Sequence, residues 1–235
     1  METSPFKWRY DRNFNTFSPG DQEKLAAATV VIIGLGGLGG GVCEMLARVG
    51  IGKLILVDGD VFEASNLNRQ ILSEERLMGV PKAEAARDRV RAVNSDVEVI
   101  HRIEFLDENT LYETIKGSDV VMDCLDSIDT RFSLQDAAKK AWVPLVSGAI
   151  AGVTGQVTSI FPEDRGYELI YGEKSRKQGK GVETKTGNIA YCALFTAALQ
   201  SSECVKILLN RGDILRNKLL IAELWTNLFE VMDLV

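Results

Sequence analysis

Residues 30–39 read Val-Val-Ile-Ile-Gly-Leu-Gly-Gly-Leu-Gly, and they decide the fold. Residues 30–33 are four β-branched apolar residues without alternation, the pattern of a strand buried on both faces. Gly34, Gly36 and Gly39 follow at G-x-G-x-x-G spacing, with Gly37 beside them. A helical pattern comes next, with Val42, Met45, Leu46 and Val49 on one face. Gly50 and Gly52 close that helix, Lys53–Val57 reads as a second buried strand, and Asp58 ends it. Glycines let the backbone turn tightly and let a phosphate chain approach the free amides and positive end of the helix. The Asp58 carboxylate sits where it can accept hydrogen bonds from ribose hydroxyls. Strand, glycine turn, helix, strand and acid together indicate an adenosine nucleotide. On these residues alone NAD, FAD and ATP all stay open.

Outward from this unit the grammar is strand–helix alternation. Upstream, Ser18 as N-cap, Pro19 at the first helical position and Asp21 in the first turn start a helix running to about residue 28. The preceding residues carry Phe6, Trp8, Tyr10, Phe14 and Phe17. Such an arm is too aromatic for a free tail and is expected to pack on the body or on a second subunit. Downstream, Ser73 is expected to cap a short helix, and Pro81 to precede a longer one over Lys82–Val93. Strands are expected at 97–103, 119–124 and from 144, with helices at 108–116 and 130–141. This predicts an α/β fold, a Rossmann-like, mostly parallel sheet with helices on both faces. Beyond Gly148 the pattern changes. The stretch GQVTSIFPEDRGYELIYG reads as strands and turns, and KSRKQGKG at 174–181 as a mobile basic loop. Residues 188–209 form a long apolar helix, and a pair of C-terminal antiparallel strands closes the chain. The expected organisation is one domain over 1–235: arm and helix at 1–28, nucleotide-binding core at 29–148, and strands, crossover loop and long helix at 149–235.

The chain has 235 residues, 46% hydrophobic, with a net charge of −6. The apolar share supports a sizeable core, and the acidity argues against a nucleic-acid binder. No apolar run is read as approaching the ~20 residues of a membrane span, and METSPFKWRYDRN lacks an apolar signal segment, so a cytoplasmic protein is expected. Cys43, Cys124, Cys192 and Cys204 form no C-x-x-C pair, so no zinc site is expected, and most are read as small buried hydrophobes. His101, the single histidine, falls on an expected strand and is read as structural.

At SNLNRQ (65–70) the chain resembles a known family. With RYDRN at 9–13, GLGGLG at 34–39, the acidic pair Asp58 and Asp60, GVPKAEAA at 79–86, DCLDS at 123–127 and SGAIAGVTGQV at 147–157, it is similar to the ubiquitin-activating-like adenylyltransferases, the HesA/MoeB/ThiF group. The resemblance extends to LQSSECVKIL at 199–208. It implies attack of a carboxylate on the α-phosphate of ATP, giving an acyl-adenylate and pyrophosphate. That chemistry needs cations and a metal placed against spreading negative charge. Arg69 offers a planar fork for phosphate oxygens and Lys82 a point charge. Asp126, at the carboxyl edge of the 119–124 strand, suits Mg²⁺, which is held by one or two carboxylates plus phosphates. Asp123 is expected to support the turn. By resemblance Gly37, Asp58, Ser65, Asn66, Asn68, Arg69, Lys82 and Asp126 belong to the ATP site. Arg12 would reach the ATP of a partner subunit, implying a homodimer. The implied substrate is the C-terminal carboxylate of a small ubiquitin-like (β-grasp) sulfur carrier with a Gly-Gly tail, for molybdenum/tungsten cofactor or thiamine synthesis. A loop carrying Lys174, Arg176, Lys177 and Lys180 would cross over that tail.

The family's two C-x-x-C zinc pairs are absent, and residues 183–186 stand where many members carry a cysteine. No thioester or persulfide step is therefore expected here, Cys192 is not read as a catalytic thiol, and a separate sulfur donor is implied. Three other readings stay open: adenylation of a modified tRNA nucleoside, a NAD-dependent oxidoreductase, and a silent binding subunit. The second leaves SNLNRQ, Lys82 and Asp126 unexplained.

Overall fold

In the computed structural model, which describes residues 8–177, 179 and 186–235, the fold is built outward from strand β1 (Thr29–Ile33). Val30 and Ile32 enter one apolar core and Val31 and Ile33 another. Alternate residues of a strand face opposite sides, and here neither side is solvent, so all four must be apolar. Helix α1 (Pro19–Ala27) precedes it through a reciprocal cap: Ser18 Oγ accepts from the Asp21 amide and Asp21 Oδ2 from the Ser18 amide. Then follow α2 (Gly37–Val49), β2 (Lys53–Val57), α3 (Lys82–Val93), β3 (Glu98–Arg102), α4 (Glu108–Ile115), β4 (Val120–Asp123), α5 (Ile128–Ala141) and β5 (Leu145–Ala151). The remainder comprises β6 (Thr154–Ile160), α6 (Tyr167–Tyr171), α7 (Ala190–Leu209), β7 (Lys218–Glu223) and β8 (Leu228–Asp233).

All eight strands join one sheet in the order β3-β2-β1-β4-β5-β6-β7-β8. The pairs from β3 through β5 are parallel, and those from β5 through β8 antiparallel. The chain walks from β1 out to β3, then returns to start β4 on the other side of β1. The switch point between β1 and β4 is where crevices open at the carboxyl ends of such sheets.

Several expectations need correction. Ser73 caps nothing: its hydroxyl donates to Gln70 O at 2.6 Å, and the short turn of 3₁₀ helix that follows, Glu75–Leu77, starts after Glu74 without a side-chain cap. Residues 167–171 form a helix, not a strand or turn, because Tyr167 is anchored inside the core, its amide donating to Gln135 Oε1 at 2.7 Å. Helix α7 does have the length and hydropathy of a membrane span, although half of that stretch is buried in the protein. Two of its buried polar side chains are bonded inward. Gln200 Nε2 donates to Asp123 O (2.9 Å), and Glu203 Oε2 accepts from Ser159 Oγ and the Leu215 amide (both 2.8 Å). A helix tied to β4 and β6 in this way is a core helix. The aromatic arm packs partly on the body, with Tyr10 Oη accepting from Asn94 Nδ2 at 2.8 Å and Phe17 against the core, while Trp8 is exposed. Phe6 lies outside the described residues.

One close approach seats α2 on the sheet. A Cβ on Gly39 would fall 1.8 Å from Gly34 O, whereas one on Gly20 would meet nothing nearer than Ser18 Oγ at 3.8 Å. Gly39→Ala is expected to lower the unfolding free energy by about 3 kcal/mol or more, since backbone must move. Gly20→Ala, in α1, is expected to raise it by up to about 1 kcal/mol. Chemical denaturation of the two variants checks both, and a tolerated Gly39→Ala would refute the close approach.

Candidate functional site

Residues that follow four parallel strands converge on one cleft of about 990 Å³: Gly34 after β1, Asp58 after β2, residues 104–106 beyond β3 and residues 124–128 after β4. Residues 149–151 of β5, Thr154 and Gln156 of β6, and Asn188 also line it. The N-terminus of α2 lies against it. Gly36 is the N-cap and supplies no side-chain bond, leaving the first amides of the helix to other partners. A Cβ on Gly36 or Gly37 would find neighbours only at 3.5–3.7 Å, unlike one on Gly39. Packing alone therefore does not demand glycine at these two positions, and the open backbone forms a cradle of the kind that admits a phosphate. Gln70 Oε1 and Asn188 Oδ1, both on cleft-lining residues, are buried with no hydrogen-bond partner among the described residues. Such acceptors suit a ligand that brings its own donors.

Asp58 is tied to the glycine turn: Oδ2 accepts from the Leu35 amide (2.7 Å) and Oδ1 from the Asp60 amide (2.8 Å). Burial raises its pKa above the ordinary carboxylate value, opposed by the nearby Lys82 ammonium and those two amides. Lys82, largely buried at the start of α3, is paired through Nζ with Asp60 Oδ2 at 2.9 Å, and its amide donates to Asp60 O at 3.0 Å. The first amide of α3 is thus already satisfied, and the anion-facing element here is the ammonium. Asp60 was legible only as half of an acidic pair, and its role as the partner of Lys82 is a finding of the structure.

The SNLNRQ segment explains itself locally. Asn66 Oδ1 accepts from the Glu63 amide (3.0 Å) across a 3₁₀ turn over Ala64–Asn66, which replaces the strand of a plain dinucleotide fold. Arg69 Nη1 donates to Ser65 O (3.0 Å) and Asn68 Oδ1 (2.8 Å). Asn66 and Arg69 line the cleft, whereas Ser65 and Asn68 stand behind Arg69 and orient it. Gly39 serves packing. Arg12 is exposed on the arm and does not border the cleft of its own chain.

On the far wall the turn after β4 carries exposed Asp126. It is positioned by a buried network that the sequence did not announce. Asp123 Oδ2 accepts from Arg131 Nη1 (2.7 Å), Ser147 Oγ (3.0 Å) and the Tyr167 hydroxyl, and Oδ1 from the Leu125 amide (3.0 Å). Arg131 Nη2 donates to Gly148 O (2.9 Å) and to Leu125 O. Burial works against the Arg131 charge, but adjacent Asp123, with Tyr171 and Tyr167, more than offsets it and the Arg131 pKa is raised; burial beside that carboxylate also raises the Tyr167 pKa. Asp123 thus supports the turn, as the sequence suggested. No group of three or more His, Cys, Asp or Glu side chains is gathered among the described residues. Asp126 with ATP phosphates remains the donor set to consider for Mg²⁺.

The basic loop needs revision at Arg176. Its guanidinium pairs with Asp136 (2.7 Å) and Glu168 (2.9 Å) and lies over the Phe132 ring, so it anchors this end of the loop to α5 and α6. Lys174 and Lys177 fall in a 3₁₀ turn over Glu173–Lys177, while Lys180 and residues 183–185 lie outside the described residues. Cys192 is buried, and burial raises its pKa, the opposite of an activated thiol. His101 lies on β3 with Nε2 3.2 Å from Arg87 Nη1, away from the cleft.

A doubly wound sheet with a glycine cradle, a ribose-range acid and two cations at its switch point defines a nucleotide-binding α/β protein. The ThiF family profile matches residues 10–234. The chain is 35% identical over 226 residues to the SAMP-activating enzyme E1 of Haloferax volcanii, covering 95% of this chain and 84% of that protein. It is also 35% identical over 231 residues to the molybdopterin-synthase adenylyltransferase of Escherichia coli, covering 97% and 92%. Among solved structures, E. coli MccB with ATP superposes with a TM-score of 0.82 at 25% identity, over 96% of this chain and 71% of that one. The chain belongs to the ThiF family.

The Asp58–Lys82 coupling gives a pH prediction. Lys82→Met removes the charge that opposes burial, so Asp58 should titrate at a higher pH than in the unaltered protein, read by carboxyl ¹³C NMR. A folded carboxyl that holds its proton more tightly than the unfolded chain loses stability as pH rises from the unfolded to the folded pKa. The variant should extend that loss to higher pH. An unmoved Asp58 titration would sever the coupling.

Proposed function

We propose that this chain is an ATP-dependent adenylyltransferase that activates the C-terminal carboxylate of a small ubiquitin-like sulfur-carrier protein. The observation that carries the reading is the convergence of Asp58, Arg69, Lys82 and Asp126 on one cleft beside a glycine cradle. The names of the Haloferax and Escherichia relatives support it. They do not favour a tRNA nucleoside as substrate. One continuous sheet supports treating the chain as one unit, and a cytoplasmic location is part of the same proposal.

In this reading the α2 N-terminus and Gly36–Gly37 receive the phosphate chain, and Asp58 takes the ribose hydroxyls. Lys82 has three donors, so it can keep Asp60 while facing a phosphate oxygen. Arg69, already held by Ser65 and Asn68, offers its fork to phosphate without further ordering. Asp126 would hold Mg²⁺ together with ATP, which supplies countercharge to the phosphates. A carrier carboxylate oxygen forms a bond to the α-phosphorus as the bond to the bridging oxygen breaks, and pyrophosphate leaves with the electron pair. The arm of the cleft lined by 149–151, Thr154, Gln156 and Asn188 is the place for an extended Gly-Gly tail, whose amides suit the orphan Asn188 Oδ1. Arg12, remote from its own cleft, is assigned to the cleft of a partner in a homodimer. A separate donor would supply sulfur after adenylation, in molybdenum/tungsten cofactor or thiamine synthesis.

The test is ATP–pyrophosphate exchange with a Gly-Gly-ended carrier. Carrier-dependent exchange is expected, falling about 100-fold or more in Asp126→Ala and Arg69→Ala, the range for losing one charge-stabilising group. No exchange with any carrier would sink the assignment. For Arg12, mixing equal amounts of inactive Arg12→Ala and Lys82→Ala proteins should restore about a quarter of the sites, since half the dimers would be mixed and each would hold one intact site. No restoration after confirmed subunit exchange would rule out its action across the dimer.

A further inference from the structure

Phe105 has no evident reason to be aromatic. It is 78% exposed, on the short segment between β3 and the Asp107 N-cap of α4. A single exposed aromatic is ordinary on a protein surface, so it is the place of this one on the rim of the cleft that matters. That place is well defined. Asp107 Oδ1 accepts from the Thr110 amide (2.8 Å) and Thr110 Oγ1 from the Asp107 amide (2.7 Å), which fixes the end of the segment. The ring lies against Gly59, where a Cβ would be 2.6 Å from Phe105 Cδ2. Gly59 is the residue between Asp58 and Asp60, so the ring borders the cleft directly beside the acid assigned to ribose. The other residues at this end include Ile33, Val57, Leu106 and Leu125. The cleft thus has a charged region, with Arg69 and Lys82, and an apolar region with an exposed aromatic rim, and Asp58 stands between them.

We propose that Phe105 is the stacking wall for the base of the bound nucleotide and sets the protein's affinity for ATP. A base attached to a ribose held at Asp58 has a flat, weakly solvated face to cover, and an exposed phenyl ring matches it. Aromatic stacking on a base strengthens binding by about tenfold or more. The inference rests on the nucleotide reading of the cleft and adds to it a residue that reads the base rather than the phosphates. Close packing of the ring on Gly59 links base contact to the Asp58–Asp60 segment that also holds Lys82.

The experiment compares ATP and inorganic tripolyphosphate by calorimetry on the full chain. Phe105→Ala should weaken ATP binding about tenfold or more while leaving tripolyphosphate affinity unchanged. Phe105→Tyr should restore ATP affinity and Phe105→Leu should not, which separates stacking from filling of apolar space. Because the side chain is so exposed, the unfolding midpoint should stay where it is. Undiminished ATP affinity in Phe105→Ala overturns the inference. Equal loss for both ligands also overturns it, since Phe105 would then shape the phosphate site. Failure of the unaltered protein to bind ATP removes the nucleotide reading itself, and this inference with it.

Discussion

The carbonyl oxygen of Gly34 and the α-carbon of Gly39 are so close that no side chain fits between them, and the rest of the molecule follows from that approach. It presses the first turn of α2 onto the end of β1, which points the helix N-terminus into the switch-point cleft. The same helix presents Gly41 to α7, where a Cβ would come within 2.8 Å of the Ala197 Cβ. Helix α7 can therefore pack tightly enough for Gln200 to reach Asp123 O and Val146 O. A contact between two glycines on one side of the cleft thus fixes the backbone of β4 and β5 on the other.

The second wall depends on a buried ion pair. Asp123 and Arg131 are both removed from water, and such a pair on its own is weak support for stability, because desolvation offsets its attraction. Here the remaining capacity of both groups is used. The carboxylate also accepts from Ser147, Tyr167 and the Leu125 amide, and the guanidinium also donates to the Gly148 and Leu125 carbonyls. The consequence is geometric. Leu125 is held at both its amide and its carbonyl, so the turn presenting Asp126 cannot drift.

The charged groups of the cleft share a feature: each is already oriented by the protein. Lys82 is held by Asp60, Arg69 by Ser65 and Asn68, and Asp58 by two backbone amides. Pre-set side chains lose little freedom when phosphate arrives, which favours stabilisation of developing charge. Ser65 and Asn68 do not themselves line the cleft. They stand behind the cation that faces the cleft.

The sequence alone determined the nucleotide-binding half. An unbroken β-branched run, a spaced glycine set and an acid after the next strand are local patterns whose physical meaning does not depend on the remainder of the chain. The N-cap at Ser18 and the start of α3 after Pro81 were legible for the same reason. What tertiary structure decided was pairing across distance. Asp123 meets Arg131, Tyr167 and Ser147 only once α5, α6 and β5 are packed. Tyr167 sits in a helix because its ring is buried, against a local pattern that read as strand or turn. Arg176 looked like one charge in a solvated basic loop until Asp136 and Glu168 were brought to it. Periodicity and spacing report which face of an element is apolar and where a backbone must turn. They carry no information about which distant polar groups will satisfy one another, and that was left to the folded chain.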